Sequence, residues 1–133
     1  MRISRSTGYA LLAVGYIAKH QKEQGIILSQ SVSKEYNIPL EYLLKLMQQL
    51  VRVNVLRSKR GPRGGFTLAK STKKITMLEI IEAVDGPMTS QLNLTEQAPR
   101  EKFGAKAEHV YEKVLAQARS SFDKVKLSDL VKS

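Results

Sequence analysis

The chain has 133 residues, a formal net charge of +10 and no cysteine. Its length suits one small hydrophobic core with an appendage, and its charge favours polyanionic partners, above all nucleic acid. The lack of cysteine excludes disulfides, zinc fingers and cysteine-ligated iron–sulfur clusters. No stretch is apolar over the length of a membrane span and no signal-peptide pattern follows the N-terminus, so we expect a cytoplasmic protein without membrane contact.

The charge is distributed unevenly along the chain. Residues 1–75 contain fourteen Lys and Arg against three Asp and Glu, whereas residues 76–133 contain eight against nine. A surface selected only for solubility mixes both signs. We therefore expect the polyanion-binding surface in the first part of the chain and a different role for the second part.

The first predicted helix covers residues 5–22. Tyr9, Leu12, Tyr16 and other apolar residues recur at spacings of three and four, and Gly25 is a helix-ending residue. Residues 25–28 are short, β-branched and apolar, which predicts an extended segment.

Two short helices with a break between them follow. Ser29 is a predicted N-cap for a helix from Gln30 to Tyr36, and residues 37–39 interrupt it. Pro39 fits the first position of the next helix, which is predicted to end at Val53. Two helices joined by a three- to four-residue turn are typical of a helix-turn-helix. The second helix is amphipathic, with an apolar face of Leu40, Leu43, Leu44, Leu46, Met47, Leu50 and Val51.

A basic hairpin is predicted directly after this pair. Residues 55–59 and 65–68 are strand-like, and the tip between them holds Gly, Pro, Arg60 and Arg63. Three glycines at and beside the tip would allow positive φ and a close approach to phosphate. A basic hairpin after a helix-turn-helix is typical of a wing.

The remaining segments are a helix that begins at about Met77, includes Val84 and closes at residues 85–87, a polar loop over residues 87–99, a long helix from about Arg100 to Phe122 and a final turn near Leu127. We thus predict a mostly α fold with a small β-hairpin, that is, a winged helix-turn-helix with a long C-terminal dimerisation helix. Its parts are a DNA-binding domain over residues 1–86, a loop over 87–99, and a dimerisation helix and C-terminal segment over 100–133.

The long helix has an apolar stripe, which includes both Val114 and Leu115, on a charge-balanced background. A stripe of this length cannot be covered by so small a domain, so it predicts a homodimer, although a helix folded back on its own domain is the alternative. The predicted dimerisation residues are Phe103, Ala107, Val110, Val114 and Ala118.

Residues with base- and phosphate-binding chemistry predict the DNA contacts. Gln pairs with adenine, Lys with guanine and Glu with cytosine, while an Arg on a wing can enter the minor groove. The predicted DNA-binding residues are Arg2, Ser29, Gln30, Glu41, Tyr42, Lys45, Gln48, Gln49, Arg52, Lys59, Arg60, Arg63, Gly64 and Gly65.

Nothing in the sequence indicates catalysis, a cofactor or a metal site. It has two histidines, His20 and His109, and no motif of a nucleophile elbow, zinc protease or phosphate loop. Asp85 and Asp129 have no acid–base partner nearby in sequence. The expected partner is double-stranded DNA, and the alternatives are an adaptor that binds an acidic protein and an RNA-binding module.

Five segments of the chain have the character of family motifs: residues 1–4, 38–43, 75–87, 127–130 and above all the wing motif RGPRGGFTL at residues 60–68. Together they resemble the IscR/NsrR/CymR family of bacterial winged-helix transcription factors. The resemblance covers nearly the whole chain.

The resemblance implies a dimeric regulator, here most simply a repressor, that binds a palindromic operator. Many members sense iron, nitric oxide or redox state through an iron–sulfur cluster held by three cysteines in the loop that here spans residues 87–105. This chain lacks them, so the cluster is not carried over, and an effector or regulatory protein is left open. Cluster-binding members often have an acidic residue where this chain has Leu44, so its operator preference is expected to differ.

Overall fold

Helix α1 (Arg5–Gln24) begins at a serine cap and ends at a glycine. In this computed structural model, which describes residues 3–60 and 65–132, Ser4 Oγ accepts a hydrogen bond from the Thr7 amide at 3.1 Å. Gly25 leaves the helix with a φ of 75°, a conformation that side chains disfavour. The helix ends at Gln24 rather than at the predicted residue 22.

Helices α2 (Ser29–Tyr36) and α3 (Leu40–Arg52) form the helix-turn-helix. The prediction that Ser29 caps α2 was wrong: Leu28 is the N-cap and Ser29 is the first helical residue. The reason is that the bridge between Ile27 and Phe66 keeps the backbone extended through Leu28. Pro39 likewise precedes α3 as its cap instead of opening it.

The turn between these helices is fixed by its backbone and by one buried side chain. Asn37 ends α2 in the left-handed region with a φ of 54°, and its amide donates to the Ser33 carbonyl. Ile38 is buried in the core. Asparagine tolerates this conformation better than most residues, so the turn needs no glycine.

The core lies between α1, α2, α3, the hairpin and α4. Full burial of each large aliphatic side chain stabilises the fold by about 1.5–3 kcal/mol. The largest members are Ile17, Ile27, Ile38, Leu43, Met47, Leu50, Leu56, Ile75, Ile80 and Leu127.

Strands β1 (Leu56–Lys59) and β2 (Gly65–Leu68) form the predicted antiparallel hairpin, in which Leu56 pairs with Leu68 and Lys59 with Gly65. A Cβ on Gly65 would lie 2.5 Å from both the Ile26 side chain and the Ile27 carbonyl oxygen. Gly65 is therefore required by close packing, and the prediction that it supplies a positive φ was wrong, because its φ lies outside that region. Gly61, Arg63 and Gly64 lie outside the described residues.

Helix α4 (Met77–Asp85) has a complete capping box. Thr76 Oγ1 accepts from the Glu79 amide at 3.1 Å, and Glu79 Oε2 accepts from the Thr76 amide at 2.9 Å. Reciprocal bonds of this kind satisfy two amides that the helix leaves free. Gly86, with a φ of 83°, ends the helix where the sequence predicted.

The predicted polar loop contains a short helix, α5 (Leu94–Gln97), so the loop prediction was wrong over these residues. The segment is ordered by packing on the long helix α6 (Lys102–Lys124). A Cβ on Gly104 would lie 3.2 Å from Leu94, and both Thr95 Oγ1 and the Thr95 amide donate to Glu108 at 2.9 Å.

The chain then returns to the core through α7 (Leu127–Leu130). The Leu127 amide donates to the Ile75 carbonyl at 2.8 Å, and the Leu127 side chain is buried beside the first helices. The structure is thus mostly α with a two-stranded hairpin and a long C-terminal helix, as predicted. Across residues 3–60 and 65–132, no helix is both long enough and apolar enough to span a bilayer.

Candidate nucleic-acid interface

The outward face of α3 lines a cleft of about 530 Å³. Because α3 buries Leu43, Met47 and Leu50 on the opposite side, its polar residues point away from the core. Ser6 of α1 and Val84 of α4 close the cleft. It brings together five predicted DNA-binding residues, namely Tyr42, Lys45, Gln48, Gln49 and Arg52.

The first turn of α3 is held against α1 through Tyr42. Its hydroxyl forms a hydrogen bond with Ser6 Oγ, and its ring packs edge-on against Tyr9 with centroids 5.9 Å apart. Tyr42 nevertheless remains 39% exposed. Glu41, on the same turn, is exposed outside the cleft. Ser6 was missed by sequence reasoning, because no periodic pattern links residues on different helices.

The other predicted DNA-binding residues lie at the start of α2 and on the hairpin. Ser29 is half-buried and Gln30 is exposed on the first turn of α2. Lys59 is exposed at the end of β1, Arg60 follows it, and Gly65 is buried at the start of β2. Arg2, Arg63 and Gly64 lie outside the described residues.

The cations of α3 remain available to a ligand. Within residues 3–60 and 65–132, the ion pairs join Lys70 to Glu79 and Arg119 to Glu82. Lys45 and Arg52 take part in neither, and both are exposed. Cations that are not neutralised within their own chain can neutralise phosphate and release its counterions.

Asp85 does have a partner, which the sequence did not reveal. Its carboxylate accepts hydrogen bonds from the hydroxyl and, at 3.2 Å, from the amide of Ser4, 81 residues away in the chain. Burial alone would raise the pKa of Asp85, but the bonds from Ser4 and Thr7 outweigh it and lower that pKa below its usual value. The contact joins the end of α4 to the start of α1, beside the cleft.

The predicted dimerisation residues of α6 lie mainly on an exposed stripe. Phe103 is 77% exposed, Val110 61% and Val114 55%. Ala107 and Ala118 are half-buried. Leu115, one residue beyond Val114, faces α4 and is only 8% exposed. Phe103, Val110 and Val114 together form the exposed stripe of α6.

The described residues do not provide a metal centre. Among them, no three His, Cys, Asp or Glu side chains come close enough together to hold an ion. The sequence has no cysteine at any position, so it lacks the thiolates that hold an iron–sulfur cluster.

Comparison with known proteins gives concordant relatives. The regulator IscR of Cereibacter sphaeroides is 30% identical over 138 residues, which cover 100% of this chain and 88% of the relative. The structure of CymR, the global cysteine regulator of B. subtilis, superposes with a TM-score of 0.81 at 26% identity, covering 98% of this chain and 96% of that one. Oxidised CymR of Staphylococcus aureus gives a TM-score of 0.78 at 26% identity, covering 100% and 98%.

A family model extends this similarity to the sequence as a whole. The model for Rrf2, described as iron-dependent transcriptional regulators, matches residues 3–133. That description implies an iron group, and the donor set of this chain does not fit a cysteine-held one. The helix-turn-helix, the wing and the long C-terminal helix agree with the match. The chain belongs to the Rrf2 family of DNA-binding winged-helix transcriptional regulators.

Proposed function

We propose that this regulator binds a palindromic operator as a homodimer, without an iron–sulfur cluster and without catalysing a reaction, and represses transcription by occupying the promoter. The observation that carries the proposal is the cleft of α3, where two cations and two glutamines lie together on one exposed helix face. These side chains match the donors and acceptors of base edges and the charge of phosphates.

Within this proposal the recognition helix and the wing have different tasks. Lys45, Gln48 and Gln49 read base edges in the major groove, with Glu41 and Tyr42 at the start of the helix. The backbone and minor groove are contacted by the hairpin and by flanking positions. These are Arg2, Ser29, Gln30, Arg52, Lys59, Arg60, Arg63, Gly64 and Gly65.

The homodimer is supported by the exposed stripe of α6. Three large apolar side chains at helical spacing are unusual on a free surface, and pairing of two such stripes would remove them from water. A two-fold dimer presents two recognition helices, and two identical readers require a palindrome. Ala107 and Ala118 are the proposed small residues of the same interface.

Selection from a random duplex pool tests the DNA specificity. We expect enrichment of a palindromic duplex, and an added scrambled duplex should not displace it from the protein. Single-stranded RNA and an acidic protein serve as competitors in the same assay. Preferential displacement by RNA would support an RNA-binding module, and displacement by the acidic protein alone would support an adaptor.

Transcription in vitro tests repression. With the selected palindrome placed inside a promoter, added protein should lower the transcript yield, and a template with a scrambled palindrome is the control. A higher yield from the palindrome template would show activation instead.

A further inference from the structure

One carboxylate joins three segments at the base of α6. Arg119 of α6 donates from Nε to Glu82 Oε2 at 3.2 Å and from Nη2 to Glu82 Oε1 at 3.1 Å. Glu82 Oε2 also accepts from the Met88 amide at 2.8 Å. Glu82 thus holds α4, the connector after it and α6 in one arrangement.

The pair lies near the C-terminal end of the stretch over which α6 packs against α4. Helices α4 and α6 run antiparallel: the Met77 amide donates to the Val125 carbonyl at 2.9 Å, and Glu82 meets Arg119 further along. Leu115 and Tyr111 then line a cavity of about 240 Å³ with Ile81 and Asp85, the last residue of α4. Towards its N-terminus, α6 extends past the end of α4 and carries Phe103.

The chemistry of the Glu82–Arg119 contact favours a fixed angle between α4 and α6. Two parallel bonds between a planar guanidinium and a carboxylate define orientation as well as distance. Burial alone would raise the pKa of Glu82, but the bonds from Arg119 and Met88 outweigh it and lower that pKa, so Glu82 is ionised at neutral pH. Because the Arg119 side chain is 52% exposed, the pair adds little to stability.

We propose that the Glu82–Arg119 pair sets the angle between α6 and the winged-helix part, and thereby the half-site spacing that the dimer accepts. The inference rests on the proposed homodimer through the exposed stripe. Phe103 lies about 24 Å from Arg119 along the helix at 1.5 Å per residue. A rotation of about 10° over that length moves the far end by about 4 Å, roughly the rise of one base pair. Glu82 and Arg119 are therefore positioning residues.

The test uses the selected palindrome with its half-sites moved apart or together by one and two base pairs. The affinity of the full chain is measured for each duplex, with dimer mass from sedimentation and the thermal midpoint in parallel. We expect Arg119→Ala to shift the preferred spacing or to flatten the preference by at least about 5-fold, the lower end of typical coupling between sites. Arg119→Lys, which keeps the charge without the two-point geometry, should show the same change.

Lys70→Ala is the matched control, because it also removes one positive charge from a partly exposed pair with a glutamate of α4, but this pair does not include a residue of α6. It should weaken binding at all spacings by one factor. If both Arg119 variants remain dimers and keep the wild-type ratios of affinity between the different half-site spacings, this inference alone is overturned. A wild-type chain that is monomeric, or that ignores half-site spacing, would contradict the proposed homodimer and the inference with it.

Discussion

Helices α3 and α6 are both amphipathic, but only α3 has its apolar face covered. In α3, Leu43, Met47 and Leu50 are buried in the core. In α6, Leu115 is buried against the domain, while Val114 beside it is 55% exposed. The rest of the chain therefore buries the apolar face of α3 but only part of the apolar face of α6. An apolar stripe left in this state is where we expect a second copy to pack.

A charge introduced on the exposed stripe tests whether α6 packs against a second copy of the chain. Val114→Glu should bury an unpaired carboxylate in the dimer and cost about 3–5 kcal/mol of dimerisation free energy. Because Val114 is exposed in the single chain, the fold itself should remain. Sedimentation should then report a folded monomer, and circular dichroism should be unchanged.

Val114→Ala is the matched control, since it removes two methyl groups without adding a charge. It should weaken the dimer far less than the glutamate does. An intact dimer of unchanged stability in Val114→Glu would mean that α6 is not the interface.

A substitution on the buried face of α3 should instead destabilise the fold of the single chain. Leu50→Ala removes a fully buried side chain and should lower the free energy of unfolding by about 2–5 kcal/mol. Urea unfolding measures the loss. Leu12→Ala is a suitable comparison because Leu12 is one of the exposed leucines, and it should cost much less. Equal losses in the two variants would contradict the burial assigned to α3.

Much of the fold was predictable because local periodicity encodes which face of each helix is buried. The apolar spacing in α1, α3 and α4 and the glycines at and beside the tip of the wing predicted these elements to within a few residues. Helix starts were less predictable: Ser29 looks like a cap in the sequence, but a strand bridge at Ile27 decides where α2 begins.

The contacts that position the candidate site were not predictable in this way. Ser4 meets Asp85, Ser6 meets Tyr42 and Glu82 meets Arg119 across 81, 36 and 37 residues respectively. Pairings of single polar side chains leave no periodic trace. The sequence also placed Val114 and Leu115 on one stripe, although only Leu115 is covered by α4. Periodicity shows that both residues are apolar but does not show which of them another helix covers.

The exposed polar face of α3 can be tested residue by residue. Gln48→Ala should cost about 1–3 kcal/mol on the operator and little on a scrambled duplex, if Gln48 reads a base edge. Arg60→Ala, on the wing, should weaken both duplexes by similar factors and reduce the salt slope by about one, as expected for a phosphate contact. Titrations at several salt concentrations measure both effects. Equal weakening of operator and scramble by Gln48→Ala would mean that the helix positions the protein and that sequence is read elsewhere.

The smallest expected effect concerns the contact that ties α1 to α4 beside this face. Ser4 donates twice to Asp85, and these bonds lower the pKa of Asp85 in the folded chain. A carboxyl whose folded pKa is depressed stabilises the fold above its unfolded pKa, and the stabilisation is lost as pH falls through the folded value. Asp85→Asn should therefore be less stable than wild type at pH 7, and the two should converge as the pH drops below the ordinary aspartate value of 3.8.

The size of this effect is limited by solvent, because Asp85 is exposed. We expect a difference of about 0.5 kcal/mol at pH 7, at the scale of screened surface interactions. Urea unfolding at pH 7, 5 and 3 gives the difference at each pH, and Glu112→Gln, an exposed carboxylate of α6, is the control for the general effect of removing a charge. A difference between Asp85→Asn and wild type that stays constant from pH 7 to pH 3 would show that the contact acts through shape and not through ionisation of Asp85.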